Sequence, residues 1–228
     1  MTNLLHINGG ECLLIFKSKL IKLDFFLFGI VVANNYAELS LSDKDQVLNL
    51  LQENGRALEF ATQQLRADKE LVLCAVRQKG RALKFASPEL KNDFECVLAA
   101  VTQNGKALEY ASDELKSNVD IVIDAVSNNG SALIFAADEL QSNSSVVLAA
   151  VAQNGGALKF AADNLRGDYA LVLAAVKLKG RALEFSSAEL RAEKEIVLAA
   201  VKENDWAFAH ASDELRADKD FVLQVVSL

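Results

Sequence analysis

From residue 43 onward, apolar and polar positions recur with one fixed period. A typical unit reads DKELVLCAVRQKGRALKFASPELKN over residues 68–92. It opens on a short polar residue, runs through a block of six apolar positions such as Leu71-Val72-Leu73-Cys74-Ala75-Val76, and reaches Lys-Gly or Asn-Gly. Glycines follow one another at 55, 80, 105, 130, 155 and 180, a spacing of 25, and Asp205 stands where a seventh would fall. Setting the chain in 25s from Asp43 gives seven full units and a partial eighth from Asp218 to Leu228, with no insertion or deletion.

The first half of each unit predicts a helix of about three turns. Asp68, Asp93, Asn118 and their equivalents are N-cap residues, whose side-chain oxygen accepts from an orphan amide. Glu70 and Glu95 then sit where the helix dipole favours an anion. The apolar block covers most of the circumference, so the helix should lie between neighbours. The glycine after it reads as a left-handed residue closing the helix.

The second half, Ala-Leu-x-Phe-Ala-Ser-x-Glu-Leu-Arg, fits a helical period with a break. Pro88 follows Ser87, and proline is welcome at the first helical position after a cap but costly inside a helix. The half-unit is therefore a helical turn, a break at Ser87, and a second short helix. Phe60, Phe85, Tyr110, Phe135, Phe160 and Phe185 should then stack as a spine between two helical layers. No strand-like alternation occurs within the repeats.

A unit this small cannot bury its own apolar face and must stack on its neighbours. The expected fold is all-α: a right-handed helical-repeat solenoid of seven 25-residue units plus the partial eighth. Two regions follow, a degenerate capping segment at 1–42 and the repeats at 43–228.

Residues 1–42 fall outside the register. Tyr36–Ser42 resembles a worn half-unit. The longest uninterrupted apolar run, Phe25–Ala33, is nine residues, too short to span a membrane. Lysines, this run and Val31-Val32-Ala33 sketch a secretion signal, but the charged region is too long and Asp24 abuts the run. The expectation is a cytoplasmic protein with no cleaved leader.

The repeated phrase DKE-x-VLAAV-x-x-NG-x-ALEFAS-x-EL resembles a tandem helical repeat, domain of unknown function 4116. The resemblance covers 43–228, about four-fifths of the chain. That family is associated with intracellular bacteria, including Legionella-like organisms, and with protists. The resemblance implies a repeat scaffold, and an effector delivered to a host cell is one role it leaves open. It implies no catalytic residue and no cofactor.

Composition narrows the chemistry further. The chain is 51% apolar, enough for a core, and carries a net charge of −7, all of it in the repeats. That charge repels phosphate backbones at long range. Three cysteines without a close pair make neither a disulfide framework nor a zinc site, and two histidines leave little room for acid–base or metal work. Cys74 and Cys96 fall on the apolar block and read as buried, inert thiols. No phosphate loop, dinucleotide fingerprint or metalloprotease motif occurs. The expectation is a non-enzymatic protein with no catalytic, cofactor or metal residues.

Binding candidates lie where repeat positions vary. One set is the post-glycine column, Arg56, Arg81, Lys106 and Arg181, which Ser131 and Gly156 interrupt. Unbroken, such a column could track single-stranded nucleic acid, one phosphate per repeat; as it stands, it equally serves as cations beside helix C-termini. A second basic column, Arg66 to Arg216, is flanked by acids and reads as local charge pairing. The third-turn positions Gln78, Gln103, Gln153 and Leu178 are further candidates. The seventh unit departs most, with Asp205, Trp206 and His210 replacing the usual types, and tryptophan is a favoured interface anchor. A protein partner fits these features better than nucleic acid. The apolar residues of the last helix add possible self-association through the C-terminal end.

Overall fold

The computed structural model describes residues 3–8, 11–16, 19–23 and 43–228. Residues 43–228 are all-α. The long helices begin at Lys44–Glu53, Lys69–Gln78 and Phe94–Gln103 and continue in register to Lys219–Val226. Each but the last leads into a six-residue 3-10 segment, such as Gly80–Phe85, and then a short helix, such as Pro88–Lys91. The caps form as the sequence predicts. Asp68 accepts from the amides of Glu70 and Leu71, and Ser87 from that of Leu90, with Pro88 in the first helical turn.

Ahead of the repeats the structure holds strands that the sequence reading did not place. Asn3–Asn8, Glu11–Phe16 and Lys19–Leu23 form an antiparallel three-stranded sheet. Asn8 pairs with Glu11, with Gly9-Gly10 between them in sequence. That dipeptide is a strong hairpin signal, and it was there to be read. The expected half-unit at 36–42, the apolar run 25–33 and the signal-like segment lie outside the described residues.

Each long helix packs on the next, and each 3-10 segment on the next. Every interior long helix buries the same four positions, as in Leu71, Val72, Ala75 and Val76. Facing them are the 3-10 leucines Leu58, Leu83, Leu108, Leu133, Leu158 and Leu183, all fully buried. The inner spine is therefore leucine rather than the aromatic column. Phe85, Tyr110, Phe135, Phe160 and Phe185 are half-buried at the margin of the core. The reason is the 3-10 period of three, which turns Gly80, Leu83 and Ala86 inward together and leaves Phe85 to one side.

The glycines also differ from expectation. None of the described glycines has a positive φ. The helix ends on an extended residue, Asn129 at φ −148° and ψ 104°, and Gly130 then opens the 3-10 segment. Its lack of a side chain serves close approach. A Cβ on Gly130 would stand 2.3 Å from the carbonyl oxygen of Ala150 in the next repeat. Gly55, Gly80, Gly105 and Gly180 meet Ala75, Ala100, Ala125 and Ala200 in the same way, at 2.2–2.4 Å. Gly155 differs, its nearest obstacle being the Cβ of Lys179 at 2.8 Å.

Hydrogen bonds fix the same contact. The amides of Gly80 and Gly130 donate to the Oε1 of Gln103 and Gln153, each at 2.6 Å. Asn128 bridges two neighbouring segments, accepting from the Gly105 amide at 2.7 Å and donating to the Thr102 carbonyl at 2.9 Å. On the other layer, backbone bonds run from repeat to repeat: the amides of Ser87, Ser112, Ala137, Ala162, Ser187 and Ser212 donate to the last-turn carbonyls of the preceding short helices. Such bonds are worth about 1 kcal/mol net each.

Gly130→Ala should therefore destabilise the protein by about 1–3 kcal/mol, as overpacking does. Gly167→Ala is the control. Its Cβ would meet nothing nearer than 3.7 Å, and its φ is −100°. That change should be neutral or stabilise by up to about 1 kcal/mol. Urea midpoints for the pair test the point, and equal effects would refute close approach as the glycine's role.

Candidate functional site

The variable positions do not converge on one cleft. Asp205, Trp206 and His210 share the 3-10 segment Asp205–His210. Asn204 caps it, its Oδ1 accepting from the Trp206 amide at 3.1 Å. Phe208 packs against Phe221, ring centres 6.4 Å apart, which anchors the segment to the following helix. Trp206 itself is 83% exposed. Asp205 is exposed too, whereas the glycines it replaces are buried.

The post-glycine cations are largely engaged. Arg56 pairs with Glu59 and Arg181 with Glu184, each within its own 3-10 segment. Arg81 reaches into the next repeat, donating to the Tyr110 hydroxyl at 2.7 Å and pairing with Glu109 at 3.4 Å. Its guanidinium also lies 5.7 Å from the Tyr110 ring centre. Lys106 is exposed and has no ion pair among the described residues.

The glutamines hold repeats together. Besides the glycine contacts of Gln103 and Gln153, the Gln78 Nε2 donates to the Gln52 carbonyl at 3.2 Å. Leu178 stands at the equivalent place with no acceptor for Gly155, and is 46% exposed. The second basic column is structural as well. Arg66 donates to the Ala61 and Glu59 carbonyls, and Gln141 makes the matching pair of bonds to Ala136 and Ile134.

Sequence reasoning missed a ladder at the first helical position. Lys44 pairs with Asp68 and Glu70 of the next repeat, Lys69 with Asp93 and Glu95, and Lys194 with Asp218. Lysine 24 residues before an N-cap aspartate was the available signal. Midway the ladder gives out: Phe94, Val119 and Ser144 replace lysine, and Tyr169 donates its hydroxyl to Glu195 at 2.6 Å.

Of the thiols, Cys96 is fully buried, and burial first, with the Asp93 carboxylate second, pushes it up to about 12. It is inert, as its place on the apolar block implied. Cys74 is half-buried and free. Among the described residues, no three His, Cys, Asp or Glu side chains are grouped to hold a metal, and no helix is long and apolar enough to cross a membrane. At the C-terminal helix, Phe221 is buried, while Leu223, Val226 and Leu228 are exposed.

Four consecutive segments, 43–91, 93–141, 143–191 and 193–228, match one family. The chain belongs to the family described as domain of unknown function, DUF4116. Each full match spans two 25-residue periods. An alternation in this DUF4116 chain fits that pairing: Asn54, Asn104, Asn154 and Asn204 precede every second glycine position, while Lys79, Asn129 and Lys179 fill the places between. No curated protein and no solved structure matches it.

The lysine ladder sets a pH dependence. Asp93 is raised by burial, but the Lys69 ammonium and the Cys96 amide outweigh that and hold its pKa below the usual value. Asp218, held chiefly by Lys194, is lowered likewise. A depressed carboxylate contributes stability that is complete above its unfolded pKa of about 3.9 and is lost as pH falls through the folded value. Asp93→Asn keeps a capping side chain, as Asn118 does naturally. Its stability deficit relative to the parent should be full at pH 6 and shrink toward pH 3. A deficit independent of pH, measured by urea unfolding, would remove the ladder from the acid response.

Proposed function

We propose that this DUF4116 chain is a non-enzymatic scaffold that binds a protein partner through side chains displayed on a helical solenoid. The solenoid is right-handed, with seven 25-residue units and a partial eighth. The observation that carries the reading is Trp206, 83% exposed on a capped and anchored 3-10 segment. A large rigid ring held in water on a packed frame is the arrangement of an interface anchor. Asp205 and His210 flank it on the same segment.

The pairing of Arg56, Arg81 and Arg181 with carboxylates supports a protein partner over single-stranded nucleic acid. Those cations are already neutralised within the chain, which weakens any phosphate ladder. The free thiols Cys74 and Cys96 accord with the reducing cytoplasm, of the producing cell or of a host.

Trp206→Ala should leave the unfolding midpoint within about 0.5 kcal/mol of the parent, because the ring buries little surface. The same change should abolish salt-tolerant capture of the partner from lysate. Retention of the parent on RNA or heparin that fades as salt rises, with no protein captured, would favour the nucleic-acid alternative and defeat this one.

The solenoid has its own test. Helices packed 8–10 Å apart in a row give a body about 60–80 Å long. Its radius of gyration should be about 20–25 Å, against about 17 Å for a compact globule of this length. Small-angle scattering from a monodisperse sample separates the two, and the globular value would rule out an open stack.

A further inference from the structure

The joints between successive units are not equal. Lys44 ties the first unit to the second through Asp68, and the Gln103 oxygen ties the second to the third at the Gly80 amide. Asn128 and Gln153 serve the next two joints in the same way, and Glu203 and Lys194 the last two. Between the fifth unit, 143–167, and the sixth, 168–192, no side-chain hydrogen bond or ion pair is formed among the described residues. Leu178 stands where other units place an oxygen for the glycine amide, and Ser144 stands where a lysine would reach Asp168. Apart from the chain itself, the polar link that remains is a backbone bond, the Ser187 amide donating to the Arg166 carbonyl at 2.9 Å.

The two layers are also set differently there. At five other joints, the point a glycine Cβ would occupy lies 2.2–2.4 Å from an alanine carbonyl oxygen. At Gly155 three other atoms come first, the farthest of them at 3.4 Å, so the Ala175 oxygen stands at least 1 Å farther off than its counterparts. Glycine gathers around the same joint. Gly156 follows Gly155, and the chain itself crosses from the fifth unit to the sixth at Gly167, where other units carry Ala67, Asn92, Ser117, Ser142 or Ala192. A Cβ on Gly167 would meet nothing nearer than 3.7 Å. A backbone without a Cβ absorbs dihedral change at low cost, and hinges fall on such residues at the ends of elements.

In a stacked array each unit is held by its neighbours, and stability is close to a sum over units and joints. The joint with the fewest bonds is then where the array parts first. We propose that the joint between 143–167 and 168–192 is a hinge, at which the stack opens into two blocks, 43–167 and 168–228, while each block stays folded. The family match does not mark this place, since 143–191 is matched as one segment. Opening re-aims Trp206, carried by the second block, relative to Arg56, Arg81 and Lys106, carried by the first. The hinge is a property of the stack and holds whether or not Trp206 anchors a protein partner.

Amide hydrogen exchange of the full chain, followed residue by residue by NMR, tests the hinge. The amides of Ser112, Ala137, Ala162, Ser187 and Ser212 make the same bond at successive joints. The protection factor of Ser187 should be about tenfold or more below those of Ala162 and Ser212 on either side of it, because their joints carry a side-chain bond as well. The double variant Ser144→Lys/Leu178→Gln supplies both missing links, in the form they take at Lys69 and Gln153. A hydrogen bond and an exposed ion pair together shift an opening equilibrium by about tenfold. The variant should therefore raise the protection of Ser187 by about tenfold and leave that of Ala137 unchanged. Equal protection at all five amides in the parent overturns the proposal. So does protection that falls steadily toward Leu228, which is fraying from the end of the stack. A double variant that moves all five amides alike, or none of them, also defeats it.

Discussion

The repeat stack depends on one contact, the approach of a glycine to an alanine carbonyl in the next unit, which five of the seven full units make. At Gly105 a Cβ would stand 2.2 Å from the Ala125 oxygen, a distance no side chain can occupy. The hydrogen that stands in its place points at that oxygen, a geometry that recurs where backbones pack tightly. The contact sets how closely the layers pack, and other features follow from it. Alanine belongs on the partner helix because a larger residue would push the helices apart. Asparagine or glutamine two residues before the next glycine belongs there because its oxygen can take the first glycine's amide.

The same contact explains where the pattern relaxes. Leu178 stands where the acceptor is expected for Gly155, and at that joint the nearest obstacle is Lys179 rather than an alanine carbonyl. The lysine ladder is also missing beside it, since Ser144 and Tyr169 occupy its positions. Leu178, Ser144 and Tyr169 fall in two helices whose only charged residue is Lys177. The joint and the ladder thus loosen in the same stretch of the chain, where Tyr169 keeps a hydroxyl bond to Glu195 in place of the lysine pair.

Most of the repeat fold was legible because its signals are local. Caps at Asp68, Ser87 and Asn118, the proline at 88 and the apolar block each act within one turn of helix, and each formed where the spacing put it. The errors arose where a local rule stood in for a contact between repeats. Glycine after a helix ordinarily supplies a left-handed residue, and nothing within one unit reveals that a carbonyl from the next unit is what excludes the side chain. The aromatic spine failed for a different reason. An α-helical period was applied to a segment that is 3-10, and a 20° difference per residue turned Phe85 out and left Leu83 in. The glutamines looked variable and exposed, yet their amides are joints between units.

The candidate surfaces were legible to very different degrees, and the difference has a physical cause. Trp206 is visible in sequence because it breaks a column otherwise basic or small. The half-buried apolar residues at the fifth position of the long helices, Leu73, Leu98, Ile123, Leu148, Leu173 and Leu198, break nothing: they are as regular as the core, and by pattern alone they are indistinguishable from core. In a stacked array every long helix needs one face for the 3-10 layer and two sides for its neighbours, which accounts for Leu71, Val72, Ala75 and Val76. Leucine at the fifth position exceeds that need. A repeat stabilised only by its neighbours gains little from a half-exposed leucine, and a polar residue there would keep the surface wetter at no loss to the joints. Its retention from Leu73 to Leu198, while the adjacent position varies among Cys74, Ala99 and Asp124, separates the demands of stacking from those of the outer surface.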